Sequence, residues 1–300
     1  LGPAWLARQR GHLKAASIAG CESSWRTHVQ PRWGAAQIGD IRHSDVQAWV
    51  AELSARRGPD CVRAAVRVLR GVLDDAVADR MIAVNAVRGV KLPKRSRTRH
   101  IYLTAHQLDR LAAESGRYRS LVLLLGVGGL RFGESAALTV ADVDFLRRRI
   151  ELHSNAVTVN GKVVVGTLKG GKARTVVVPA FVTDALARTA AGKTRDDLLW
   201  TSRDGGHLSP PHGDRCWLAA AVRRCQESDP AFPSLTAHDL RHTAASLAIH
   251  SGANPKVVQR MLGHASAAMT LDVYADLFES DLDAVAENVA KMWPPQAEAR

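Results

Sequence analysis

A short basic segment divides this chain of 300 residues into two parts. Residues 91–99 contain five lysines or arginines and one proline, and they carry almost no apolar side chain. Such a segment is typical of an extended linker, because it has little to bury. A chain of this length also suits two domains. We therefore predict a first domain over 1–90, a linker over 91–100, a second domain over 101–293 and a tail over 294–300.

Positive charge is concentrated in the first third of the chain. Residues 1–100 contain 18 lysines and arginines against 8 acidic residues, whereas residues 101–300 contain 23 against 21. This distribution favours a phosphate-binding module joined to a more neutral part, with a merely basic surface as the alternative. The sequence has neither a signal-peptide pattern nor an apolar run long enough for a membrane span. Its four cysteines show no CxxC spacing, so we expect a cytoplasmic protein without a disulfide framework.

The first part is predicted to be helical. Residues 62–77 place valines and leucines at steps of three or four, and residues 41–54 show a shorter amphipathic pattern. Opposite the apolar stripe of 62–77 are Arg63, Arg67 and Arg70, and their lack of interleaved acids favours contact with DNA phosphates over a solvated face. The linker adds further candidates for the same contact, namely Lys94, Arg95, Arg97 and Arg99.

The second part is predicted to be mostly helical with one small antiparallel sheet. A helix is expected from Thr104, its N-cap, to Ser115. A strand pattern covers 149–159, and Asn160-Gly161 indicates a type I′ hairpin turn before a return strand over 162–168. A third strand is predicted over 174–178, after which helices resume from about 182.

Three short strings and a tyrosine in the second part occur in an order that indicates the kind of chemistry. They are GLRFGE at 129–134, HDLRHT at 238–243, LGH at 262–264, and Tyr274 ten residues after His264. In these strings, and in residues 25–41, the chain resembles the tyrosine recombinases, also called the phage integrase family. The resemblance covers roughly residues 20–290. It implies a mainly α fold with a small antiparallel β-sheet, in which a helical core-binding domain precedes a catalytic domain.

The resemblance also implies a catalytic set: Arg131, Lys169, His238, Arg241, His264 and Tyr274. Arginine suits phosphate because its planar guanidinium binds two oxygens at once and stays charged. Histidines donate hydrogen bonds to phosphate, and His238 is also a candidate for taking the proton of the nucleophile. Attack by Tyr274 forms a 3′-phosphotyrosine, while the lysine serves as general acid for the 5′ oxygen. The covalent link conserves the bond energy, so no cofactor and no metal is expected.

Several assignments within this set stay open. Lys172 competes with Lys169, because the register of that loop cannot be read from sequence. Glu134 either orients the arginine cluster or forms a plain ion pair within its helix. His238 and His242 form an HxxxH pair, but Asp239 stands where a zincin has glutamate and no third metal ligand is evident. We therefore interpret His242 as structural and Asp239 as a helix cap.

The implied function is that of a site-specific DNA recombinase, most simply the integrase of a phage or other mobile element. Three alternatives are an Xer-like chromosome resolution recombinase, a type IB topoisomerase-like enzyme and a non-catalytic DNA-binding clamp. The expected partners are double-stranded DNA attachment sites, a homotetramer on paired sites and DNA-bending accessory proteins, with no membrane. When bound to DNA the protein would be associated with the nucleoid. The helical segment after Tyr274 either docks on a neighbouring subunit, as in relatives, or packs on its own domain.

Overall fold

The computed structural model describes residues 1–95, 100–168, 172–279 and 282–292. The chain divides into two compact units. The first comprises Leu1–Arg99 with Thr158–Val164, and the second comprises His100–Val157 with Val165–Arg300. Both are built mainly from helices, and small antiparallel sheets occur between the helices of the second half. No helix in the described ranges has both the length and the apolar character needed to cross a membrane.

The first unit is built from helices on either side of one long central helix. They are α1 (Gly2–Gln9), α2 (Ala15–Ser24), α3 (Gln30–Trp33), α4 (His43–Ser54) and α5 (Pro59–Ala78). Helix α5 buries the stripe that its periodicity predicted, including Val62, Val66 and Leu69. Trp33 and Trp49 complete this core by packing edge to face, with ring centroids 5.9 Å apart.

The basic residues predicted to contact DNA have different environments in the first unit. Arg67 and Arg70 are exposed on α5, whereas Arg63 is half-buried and donates from Nε to the Pro93 carbonyl at 3.2 Å. Lys94 is exposed, and so is Arg95, whose Nε lies 2.9 Å from Oδ1 of Asp60. Arg97 and Arg99 lie outside the described residues.

The second unit is an assembly of helices whose boundaries follow local sequence signals. They are α6 (Ala105–Glu114), α7 (Arg119–Gly128), α8 (Phe132–Ala136), α9 (Ala180–Ala190), α10 (Trp217–Ser228), α11 (Ala237–His250), α12 (Pro255–Leu262), α13 (Ala267–Glu279) and α14 (Leu282–Met292). Thr104 caps α6 as predicted, since its Oγ1 accepts from the Gln107 N–H at 3.2 Å. The N-cap of α11 is Thr236, and Asp239 at the third helical position completes a capping box, because its carboxylate accepts from the Thr236 N–H at 2.8 Å.

The strands form two small sheets where the sequence predicted one. They are β1 (Val143–Asp144), β2 (Arg149–Leu152), β3 (Ser154–Val159), β4 (Lys162–Thr167) and β5 (Arg174–Val177). The first sheet has the order β1-β2-β5, and β3 pairs with β4. Asn160 and Gly161 take positive φ values of 50° and 76°, as a type I′ turn requires. The single strand expected over 149–159 is instead interrupted at His153, whose ring lies 3.3 Å from Asp142.

The core of the second unit lies where the apolar helix α7 packs along α11. Gly129 ends α7 in the left-handed region, with φ of 68°. A Cβ at this position would lie 2.6 Å from Cδ2 of Leu262, the last residue of α12. Glycine therefore permits both the turn and the close approach of two helix ends, and the turn leads directly into Arg131.

Replacing Gly129 with alanine is expected to lower the free energy of unfolding by about 2–4 kcal/mol, because left-handed strain and steric overlap add. Chemical denaturation monitored by circular dichroism measures the change. Gly213→Ala is the matched control, since φ is 71° there but no atom lies within 4 Å of the added Cβ. The free energy of unfolding of this control should fall by only about 1–2 kcal/mol, because only the left-handed strain is added. Equal losses in the two variants would contradict the packing argument.

Candidate active site

The first arginine of the predicted set is oriented by a buried carboxylate. Arg131 precedes α8, and its backbone N–H donates to Oε2 of Glu134 at 2.9 Å. Its Nη1 donates to Oε1 of the same residue, also at 2.9 Å. Glu134 is only 1% exposed, whereas the Arg131 side chain keeps 25% of its surface in solvent. Glu134 therefore orients an arginine that remains accessible to a ligand.

A second arginine, which the sequence did not single out, binds the same carboxylate. Arg174 begins β5, and its Nη1 and Nη2 donate to the two oxygens of Glu134 at 3.0 and 2.7 Å. Burial raises the pKa of Glu134, but the hydrogen bonds and charges of Arg174 and Arg131 outweigh burial and hold that pKa below its ordinary value. Arg174 also packs against Gly263, where an added Cβ would lie 2.9 Å from its guanidinium. In the sequence Arg174 is only the first residue of a predicted strand, and no motif marks it as part of the site.

Arg241, on α11, bridges the ends of two other helices. It is 2% exposed, and its Nη1 and Nη2 donate to the carbonyls of Gly129 at 2.5 Å and Leu262 at 2.7 Å. These carbonyls lie at the C-termini of α7 and α12, where intrahelical partners are absent and a cation is favoured. Burial and then the charge of Arg131 lower the pKa of Arg241, although a guanidinium stays protonated near neutrality.

The two predicted histidines lie on either side of Arg241 in the chain and differ in exposure. His238 is exposed in the first turn of α11, and partial desolvation followed by the charge of Arg241 lowers its pKa. His264 is half-buried, and its Nδ1 lies 2.9 Å from Oγ1 of Thr270. Burial and then Arg241 lower the pKa of His264 to about 4. Both rings are therefore neutral near pH 7.

The predicted nucleophile is buried in the second unit. Tyr274 lies on α13 with 1% exposure, and it packs with Ala245, Ile249, Val258 and Leu262. Its ring is parallel to that of His264, with centroids 6.5 Å apart. Burial raises the pKa of Tyr274 to about 12, and the opposing charge of Arg241 does not offset it.

His242 contacts the tyrosine hydroxyl directly, which the interpretation as a structural residue did not foresee. Its Nδ1 lies 2.8 Å from Oη of Tyr274. Burial and then His100 lower the pKa of His242 to about 4. The HxxxH spacing places His242 on the same helix face as His238, and this was the only sequence signal for His242. That spacing does not indicate a contact with a tyrosine 32 positions later in the chain.

Of the two candidate lysines before β5, the structure describes only Lys172. Lys169 lies outside the described residues, and Lys172 is exposed, so the choice between them stays a prediction. Across the ranges that the structure describes, no group of three or more His, Cys, Asp or Glu side chains is arranged to hold a metal ion. The rings of His238 and His242 are perpendicular, with centroids 4.8 Å apart.

Comparison with known proteins identifies the class to which this fold and cluster belong. The model of the phage integrase family matches residues 101–280. The integrase of Mycobacterium phage L5 is 30% identical over 273 residues, which cover 88% of this chain and 71% of the relative. The chain therefore belongs to the phage integrase family of tyrosine recombinases, and the resemblance predicted from its strings is confirmed.

The chain is also similar to recombinases of the Xer type and to a transposon integrase. Tyrosine recombinase XerC of Anoxybacillus flavithermus is 25% identical over 263 residues, covering 82% of this chain and 81% of the relative. Among solved structures, Tn1549 transposon integrase in complex with transposon right end DNA has a TM-score of 0.80 at 22% identity. That match covers 94% of this chain and 98% of the other. It confirms the predicted fold class.

Removing Arg174, the partner of the buried Glu134 carboxylate, should destabilise the folded protein. Arg174→Met is expected to lower the free energy of unfolding by about 3 kcal/mol, because Glu134 stays buried with one guanidinium fewer. The control is Arg119→Met, which breaks an exposed 2.9 Å pair with Asp109 and should cost less than about 1 kcal/mol. Urea denaturation measures both variants. Similar losses would contradict a structural role for the Arg174–Glu134 pair.

The low pKa of His242 predicts a dependence of stability on pH. Its folded pKa of about 4 lies below the ordinary 6.5, so the unfolded chain binds more protons between these values. Stability should therefore be complete above pH 6.5 and fall as the pH is lowered towards 4. At pH 5 the loss due to His242 is expected to be on the order of 1–2 kcal/mol.

His242→Asn should remove this part of the pH dependence, because asparagine does not titrate. Replacing the exposed His212 with asparagine should leave it unchanged. Unfolding midpoints measured in urea at pH 7, 6 and 5 give the comparison. If wild type and His242→Asn lose stability equally between pH 7 and pH 5, the proposed link to His242 is wrong.

Proposed function

We propose that the protein is a site-specific DNA recombinase that cleaves and rejoins strands through a 3′-phosphotyrosine at Tyr274. The supporting observation is that the second unit holds Arg131 and Arg174 on Glu134, Arg241 on two helix ends, and Tyr274 on His242. Three guanidinium groups and one carboxylate leave an excess of positive charge, which suits a phosphate anion. The family assignment supports the same reading.

In the proposed reaction Arg131 and Arg241 neutralise the charge on the non-bridging oxygens. When the Thr270 hydroxyl donates to Nδ1 of His264, Nε2 of that ring carries the proton and is available as a donor to the phosphate. The bond from Oη of Tyr274 to phosphorus forms as the bond to the 5′ oxygen breaks. The phenolic proton passes to His238, and the 5′ oxygen is protonated by Lys169 or Lys172. Attack by a 5′ hydroxyl of another strand reverses these steps and frees the tyrosine.

DNA binding is proposed to involve both parts of the chain, with 1–90 as the core-type DNA-binding domain, 91–100 as the linker and 101–293 as the catalytic domain. Arg67 and Arg70 present exposed charge on α5, and Arg63 is an additional candidate. The linker candidates are Lys94, Arg95, Arg97 and Arg99. Each contact with a phosphate releases counterions, so affinity should fall steeply with salt.

The biological role is proposed to be integration or excision of a phage or other mobile element. The integrase relative is more similar to this chain than the XerC relative, at 30% against 25% identity. A solved structure of lambda integrase is a tetramer bound to a Holliday junction, and its TM-score to this chain is 0.63. We extend that assembly to this protein as a homotetramer on paired attachment sites, with DNA-bending accessory proteins as further partners.

A covalent adduct on DNA tests this function. The protein is incubated, without metal or nucleotide, with a nicked suicide substrate carrying its candidate attachment site, and adducts are resolved on a denaturing gel. Wild type should form an adduct, whereas Tyr274→Phe should bind the DNA with unchanged affinity and form none, because it lacks the nucleophilic oxygen. Tyr118→Phe is the control and should react normally.

Two outcomes would contradict the proposed chemistry in different ways. Tight binding without any adduct in the wild type would favour the non-catalytic clamp. An adduct that persists in Tyr274→Phe, or that requires a metal ion, would mean that another group carries the reaction.

A further inference from the structure

The proposed nucleophile is not in a position to react in this structure. Its side chain is 1% exposed, and its hydroxyl lies 2.8 Å from Nδ1 of His242, which is itself 7% exposed. A phosphodiester needs direct contact with the attacking oxygen, at about 3–3.5 Å. A group with so little accessible surface cannot offer that contact, so Tyr274 or the side chains that cover it must move before attack.

The His242 ring is fixed so that its Nδ1 faces the tyrosine. One neighbour is the His100 ring, whose centroid is 4.0 Å away at a tilt of 32°. The other is the His238 ring, which is perpendicular at 4.8 Å. His242 lies within α11, so the helix backbone fixes the position of its Cα and Cβ atoms. The hydrogen bond to Tyr274 is therefore made by a ring that is held from two sides.

Apolar side chains also pack around Tyr274. Ala245, Ile249, Val258 and Leu262 pack around it with at most 1% exposure. A buried hydroxyl without a partner is costly, because its interactions with water are lost and not replaced. The stability of the buried position of Tyr274 thus depends on the His242 hydrogen bond more than on any one apolar contact.

We propose that His242 is a positioning residue that holds Tyr274 in a closed resting position, and that this hydrogen bond must break before Tyr274 attacks DNA. The proposal rests on the proposed function of Tyr274 as the nucleophile. Removing the hydrogen bond between His242 and Tyr274 should accelerate strand cleavage, whereas removing a group that accepts the reacting proton should slow cleavage.

Two substitutions of His242 separate the hydrogen bond from the packing of the ring. His242→Phe keeps a planar ring and removes the bonding nitrogen. His242→Asn keeps a polar atom close to the position of Nδ1. At saturating nicked substrate, the single-turnover rate of adduct formation should rise in the phenylalanine variant by about 5- to 150-fold, the range expected from one unpaired buried hydroxyl. The asparagine variant should stay close to wild type.

Fluorine NMR supplies a readout that does not depend on catalysis. The chain has three tyrosines, so protein labelled with 3-fluorotyrosine should give three resonances, and Tyr274→Phe assigns one of them. The resonance of Tyr274 should move towards the exposed-tyrosine position in His242→Phe and remain in place in His242→Asn. Even if His242→Phe fails to fold, wild type can be tested, since binding of intact attachment-site DNA should shift this resonance.

The outcomes distinguish the proposal from its alternatives. Slower adduct formation in both folded variants would overturn it and assign proton transfer to His242. Unchanged rates in both variants, or a Tyr274 resonance that does not respond to DNA in the wild type, would also overturn it. Failure of the proposed function itself is recognised separately, because the wild type would then form no adduct or Tyr274→Phe would still form one.

Discussion

The arrangement of the site depends on one buried carboxylate. Arg131, Arg174 and Arg241 carry like charges, and without an acidic partner their mutual repulsion would open the cluster. Glu134 counters this repulsion by accepting hydrogen bonds from Arg131 and Arg174 at both of its oxygens. Its single negative charge leaves a positive excess, so the carboxylate that orders the cluster does not cancel the attraction for a phosphate.

Arg241 is held by a different kind of partner. Backbone carbonyls at the ends of α7 and α12 accept its hydrogen bonds, so its charge is not paired directly with Glu134 as the charges of Arg131 and Arg174 are. These carbonyls can converge because Gly129 and Gly263 end the two helices in the left-handed conformation and leave room for close contact. The position of Arg241, which we propose to bind phosphate, is therefore set by helix termini, which are rigid in comparison with loops.

Sequence predicts those parts of the structure that local signals determine. Thr104 with Gln107 marks a helix start, and Asn160-Gly161 marks a hairpin, because in each case the stabilising contact lies within a few residues. Arg174 could not be singled out in this way, since its partner Glu134 is 40 positions away in the chain. The contact between His242 and Tyr274 spans 32 positions and was missed for the same reason. The order of the strings identified the family, but it did not predict which side chains touch.

The burial of Tyr274 and the neutrality of the histidines are two consequences of one environment. Low hydration raises the pKa of the phenol to about 12 and lowers the pKa values of His242 and His264 to about 4, so each group is held in its uncharged form. An incoming phosphate reverses part of this bias, because a nearby anion favours protonation of imidazole. In the proposed reaction the same effect makes His238, whose pKa is also lowered in this structure, a better acceptor for the proton that the phenol loses. In the proposed reaction the charge of the substrate thus contributes to activating the site, since in this structure the histidines are uncharged and the tyrosine is buried.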